Sequence, residues 1–216
     1  MQLHFLKANL FYNRLLQLSM LGIVILIYRI FITKSSDFTF LLWNLFLATI
    51  PLLISKQITT HNWQEKSKYI RFATLLFWIL FLPNSPYIIT DLMHLDTSKP
   101  TLWVDLLMLF VFALNGVLLG TLSMMDVFSY LQKRNHPILA NGILLGVSLL
   151  SGYGIFLGRF LRFNSWDIFF RPQFLLECIF KSLLLPEARL WMFGFGSFIW
   201  ISFWVLKPFL RGIRNL

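Results

Sequence analysis

Four aspartates, two arginines and a histidine gather in three short stretches of a chain that is otherwise poor in charge, and their spacing limits what they can do. Asp91 and His94 are three residues apart and could turn a carboxylate and an imidazole toward one metal ion, with Asp105 or Asp167 completing the shell. Ser85 with His94 as its base is a further nucleophilic pairing, although a serine followed by proline more often repairs a kinked helix. Arg159 and Arg162 are also three apart, so on a continuing helix they share a face. Either could grip Asp91 or Asp105 in a bidentate ion pair, or both could meet a phosphate or carboxylate ligand. Asn164 can add hydrogen bonds, and Trp166 fits an aromatic belt at the membrane surface. No phosphate loop, nucleophile elbow or paired-histidine zinc motif accompanies these residues. An enzymatic reading, a metal-assisted hydrolase or head-group transferase, therefore rests on Asp91 and His94 with no catalytic set assigned. The single cysteine, Cys178, excludes an internal disulfide and a cysteine-built metal site. The pattern assigns no metal and no cofactor.

The first of these stretches, LFLPNSPYIITDL at 80–92, crowds two prolines and several polar groups into an oily run. Pro83 and Pro86 cannot donate to the carbonyls of Ile79 and Leu82, and each disfavours helical geometry at the residue before it. Counted from Tyr69, Pro83 lies roughly 20 Å into a hydrocarbon core about 30 Å thick. A helix broken at that depth must have its freed backbone groups met by protein or trapped water. Asn84, Ser85, Tyr87 and Thr90 are the nearest residues able to meet them. They either mend the kink or line a ligand cavity, as broken helices do in transporters.

The elements that carry these residues are membrane spans. Hydrophobic residues make up 57% of the 216 and charged residues 13%, outside the range of a soluble globular domain. Runs long enough to cross a bilayer fall at 15–33, 38–55, 69–89, 102–124, 137–158 and 189–206. The run at 172–185 is too short to cross. Gln173, Glu177 and Lys181 recur on one side and Leu176, Phe180 and Leu183 on another, with Pro172 placed for a first turn, as in a helix lying in the membrane surface. The formal charge of +10 does not indicate nucleic acid, because the basic residues sit mainly between apolar runs. Eleven basic residues fall on the side of the termini against seven on the other, which predicts cytoplasmic termini. On the outer side stand Asp91, Asp96, Asp105, Asp167 and Glu177, five of the nine acids.

Other polar and small residues have plainer roles. Gly116 with Gly120, Gly142 with Gly146 and Gly154 with Gly158 are small-residue pairs expected to bring helices close. Asn115 calls for an interhelical partner, Asp126 is expected to pair with Lys133 or Arg134, and Arg29 to reach outward to the interface. With no repeat and no soluble segment, one integral membrane domain is expected over 1–216.

The blocks FLPNSPYIITDLMHL, WVDLLMLFVFALNGVLLG and GRFLRFNSWDI resemble those of an uncharacterised bacterial family of multi-pass membrane proteins, domain of unknown function 1361, over about 70–205. The resemblance implies an integral membrane protein of a bacterium and brings no activity, substrate or catalytic residue. The expectation is an all-α bundle of six spans in the bacterial plasma membrane, one of them broken by proline, with an interfacial helix beside it. An outer-face pocket of Asn84, Tyr87, Asp91, Asp105, Arg159, Arg162, Asn164 and Asp167 would bind a small anionic ligand or lipid head group, for transport or sensing. The enzyme using Asp91 and His94 and a structural subunit locked by its charges are the competing readings. The lipid bilayer is the partner common to all three.

Overall fold

The computed structural model describes the backbone from Gln2 to Asn215 and the side chains of 12–60 and 62–212. The side chains of Lys7 and Arg214, two of the basic residues counted on the side of the termini, lie outside the described residues. Nine helices follow in order among the described residues: α1 (Gln2–Thr33), α2 (Phe40–Ile58), α3 (Lys68–Phe81), α4 (Asn84–Tyr87), α5 (Leu102–Arg134), α6 (Pro137–Phe160), α7 (Asp167–Phe170), α8 (Pro172–Leu183) and α9 (Pro186–Asn215). No strand occurs among them. Six segments are long and apolar enough to cross a bilayer: Tyr12–Thr33, Phe40–Ile58, Lys68–His94, Leu102–Arg134, Pro137–Phe160 and Pro186–Gly212. They match the six expected runs, and the chain is an all-α multi-pass membrane protein. Six crossings put the start of the first span and the end of the sixth at one end of the bundle, called here the near end.

The third span breaks where the prolines require it. Helix α3 stops at Phe81, a single turn forms α4, and a 3-10 segment continues over Ile88–His94. Side chains meet the backbone groups released there. The Asn84 amide donates to the Phe81 carbonyl at 2.9 Å, the Ser165 hydroxyl to the Leu80 carbonyl at 3.2 Å, and Arg159 to the Thr90 carbonyl at 2.9 Å. The Ser85 hydroxyl crosses to the Ala48 carbonyl of α2 at 2.8 Å. Mending the kink is therefore what Asn84 does, with help from Arg159 of α6 and Ser165 of the α6–α7 loop, whereas Ser85 ties the broken turn to α2.

Helix α5 forms the centre, packed against α1, α2, α4, α6 and α9. The broken turn can press onto it because Gly116 leaves room: a Cβ there would lie 2.3 Å from the Ser85 carbonyl oxygen. On the other side of the turn, a Cβ at Gly154 of α6 would meet the Pro83 ring at 2.8 Å. The pair Gly142 and Gly146 departs from expectation, since a Cβ at either meets nothing within 4 Å. The close seam of α6 is with α9 instead, where a Cβ on Gly152 would sit 2.6 Å from the Gly196 nitrogen. Spacing marks a smooth face on a helix, but the neighbour that uses it is chosen by the whole bundle.

Two charges are held in ways the sequence does not specify. Arg29 reaches toward the far-end loop but is buried beneath it, 2% exposed, with Nε 3.1 Å from Asp105 Oδ1, a second contact to Asp37 at 3.5 Å and its guanidinium 4.6 Å from the Phe38 ring centroid. A carboxylate on the facing helix stabilises the guanidinium in place and also relieves the burial of Asp105. Asp126 pairs with Lys56 of α2 at 3.2 Å and accepts from the Ser55 hydroxyl at 3.1 Å. Lys133 and Arg134 stand about 10 Å further along the same helix, beyond easy reach of its side chain. Asn115 finds its interhelical partner in the Ser19 hydroxyl at 2.7 Å.

Helix α8 packs against α9, while Tyr153 of α6 pins it with a hydroxyl 2.7 Å from Ser182 Oγ and 3.2 Å from the Ile179 carbonyl. Leu175 turns inward, whereas Leu176, Phe180 and Leu183 stay exposed. Lys181 bonds Glu177 one turn away and holds that carboxyl below its ordinary range.

Candidate functional site

At the far end of the bundle, opposite the termini, the broken third span stands between α2 and α6 and leaves a cavity of about 270 Å³. Trp43 and Asn44 of α2 form one wall, Asn84 and Tyr87 the second, and the loop Arg162–Ser165 the third, with Leu175 of α8 across the mouth. Gly154 and Gly158 of α6 complete the lining and let the Pro83 and Tyr87 rings pack against that helix.

Asp91 stands beside this cavity and organises it. It is 1% exposed, accepts from Asn44 at 2.8 Å and pairs with Arg159 at 3.2 Å. The Arg159 guanidinium also lies 6.0 Å from the Tyr87 ring centroid. A buried carboxylate held by an amide and a guanidinium ties α2, the broken span and α6 together, and its charge is neutralised there.

The eight residues expected to form the site fall into distinct roles. Asn84, Tyr87, Arg162 and Asn164 line the cavity. Asp91 and Arg159 form the ion pair next to it. Asp167 folds the loop, its carboxylate accepting from the Asn164 backbone at 2.6 Å. Asp105 stands apart with Arg29 between α1 and α5. The two arginines do not share a helix face, because α6 ends at Phe160 and Arg162 has a left-handed φ of 57°. That reversal sends one arginine to Asp91 and leaves the other on the cavity wall.

His94 is exposed and packs 5.3 Å from the Phe40 ring centroid, while Asp91 faces Asn44 and Arg159. Among the described residues, no three His, Cys, Asp or Glu side chains come together. Both hydrogens of the Asn84 amide are occupied, by the Phe81 carbonyl and by Ser165 Oγ at 2.9 Å. Among the described residues, the Arg162 guanidinium, the Asn164 side-chain amide and the Tyr87 hydroxyl have no hydrogen-bond partner. These three, with the indole N–H of Trp43, are donors left to face a ligand.

Asn44, Trp43 and Ser165 also belong to the site, and the sequence reading passed over them. Asn44 carried a usable signal, an amide inside an apolar span, the same signal that marks Asn115. Trp43 reads as one more aromatic residue, and Ser165 becomes significant only once the loop folds back on Leu80.

The profile of a family described as Protein of unknown function (DUF1361) matches residues 43–203. The chain belongs to this family. The match begins at Trp43 and takes in every residue of the cavity wall. No curated protein and no solved structure matches the chain. Membership in DUF1361 brings no activity with it, so any function rests on the residues themselves.

Proposed function

We propose that this DUF1361 protein binds a small anion or an anionic lipid head group in the far-end cavity, for transport or sensing. One observation carries the reading: Arg162 is a cation on the cavity wall with no carboxylate beside it among the described residues, next to the free amide of Asn164. A guanidinium left without a counter-charge in a partly closed space favours a phosphate or carboxylate guest. The volume of about 270 Å³ suits a head group or a small anion and is small for a larger metabolite. Asp91 and Arg159 act as the frame, since each already neutralises the other. The excess of basic residues on the side of the termini supports cytoplasmic termini and a far-end cavity facing outward; the plasma membrane of a bacterium as the location is what the family resemblance implies.

Binding of inorganic phosphate and of phosphatidylglycerol to the purified protein tests the reading. Arg162→Gln is expected to weaken both by about tenfold or more, the scale of one charge-assisted hydrogen-bonded contact. Equal affinity in Arg162→Gln and the parent protein, with both monodisperse, would remove the cavity as an anion site.

A further inference from the structure

The near end of the bundle holds a second polar cleft, of about 470 Å³, between α2, α5 and α9. Ser129 and Lys133 of α5 face Lys207 and Arg211 of α9 across it, with Asp126 at its base. Its charge is unbalanced. Asp126 is the one acid in the wall and Lys56 already holds it at 3.2 Å. Among the described residues, Lys133, Lys207 and Arg211 form no ion pair. Lys207 and Arg211 are one helical turn apart, so two like charges neighbour each other on α9, which is unfavourable until an anion lies between them. Lys207 does not stretch away into water: its Nζ sits 4.2 Å from the Phe128 ring centroid and 4.3 Å from that of Trp204. A basic residue that served topology alone would need only to stand at a helix end, not to be held against rings at the wall of a cleft.

Immediately beside it, a second cleft of about 520 Å³ is walled by Trp204, Pro208 and Gly212 and shares Lys207 and Arg211 with the first. A cleft whose only acid is already neutralised and a second one flanked by the Trp204 ring and Pro208 therefore meet along one two-residue cationic ridge. That division matches an amphiphile with a single phosphate at the junction of its polar and apolar parts. We infer that the Lys207–Arg211 ridge is a binding site for an anionic phospholipid of the leaflet at the near end, with the phosphate between Lys133, Lys207 and Arg211 and the glycerol and first acyl carbons against Trp204 and Pro208. The site is independent of the far-end cavity and shares no residue with it.

The protein, reconstituted in bilayers of phosphatidylcholine and phosphatidylglycerol and then released for native mass spectrometry, tests this assignment. The parent is expected to retain phosphatidylglycerol over phosphatidylcholine by at least about tenfold. Lys207→Gln with Arg211→Gln is expected to lower that retention about fivefold for each cation removed. All variants are compared in an Arg162→Gln background, so that phosphatidylglycerol at the far-end cavity does not contribute, and Lys99→Gln with Lys181→Gln, which removes the same charge elsewhere, should leave this lipid in place. Equal retention of the two lipids, or an equal loss in the control pair, overturns the site. Displacement of the lipid by millimolar inorganic phosphate would reassign the site to a free anion. Should the double variant not purify as a single species, the exposed Lys133→Gln and Arg211→Gln, taken singly, give the same readout.

Discussion

Arg159 and Arg162 are three residues apart, and the structure gives them opposite circumstances. Arg159 faces a buried carboxylate, and the pair can be broken from either side with unequal cost. Arg159→Ala leaves the Asp91 charge buried with only Asn44 beside it, an arrangement that costs about 3–5 kcal/mol. Asp91→Asn removes the charge but can keep a hydrogen bond to Asn44, and the arginine left behind is 13% exposed and still bonded to Thr90, so about 1–3 kcal/mol is expected. Unfolding of the two variants in detergent, followed by denaturant, checks the order; a larger loss for Asp91→Asn would mean that Asp91 does more than neutralise Arg159. The Asp91–Arg159 contact is legible in the sequence, because topology puts the ends of spans three and five at the same membrane face. The separate course of Arg162 is not, because a left-handed residue of this type carries no mark in the local sequence. Asn44 and Arg29 escape for a related reason: a single polar residue in an apolar run shows that it needs a partner without showing which helix supplies one.

Prolines are readable at the level of elements, and glycines only partly. Pro83 and Pro86 act on their own helix by removing donors, so the break in the third span follows from the chain alone. A glycine acts on whichever element comes to rest against it. Gly116→Ala would drive a methyl into the Ser85 carbonyl, which is backbone and cannot step aside, so α4 must lift from α5 and the protein should lose about 1–3 kcal/mol. Gly142→Ala meets open space and should be neutral or gain up to about 1 kcal/mol from helix propensity. Comparing the thermal midpoints of these two variants checks both, and similar shifts would show that α4 does not bear on Gly116. The sequence presents these two glycines in the same way, as the first members of spaced pairs, and only the packing separates them.

Across the whole molecule, the number of spans and the all-α class follow from the lengths of apolar runs, since a bilayer accepts little else. Which spans touch is less accessible, because lipid-facing and helix-facing surfaces are equally oily and the usual contrast between inside and outside is lost. The seam between α6 and α9 is the clearest instance: their backbones meet at Gly152 and Gly196, although a long excursion through α7 and α8 separates them in the chain. Because that contact is made between the helices themselves, the connection between Arg171 and Pro172 is dispensable for holding them together. Two polypeptides, 1–171 and 172–216, made in the same cell should find each other and co-purify as one particle, whereas changing Gly196 to leucine should leave them as strangers in the same membrane.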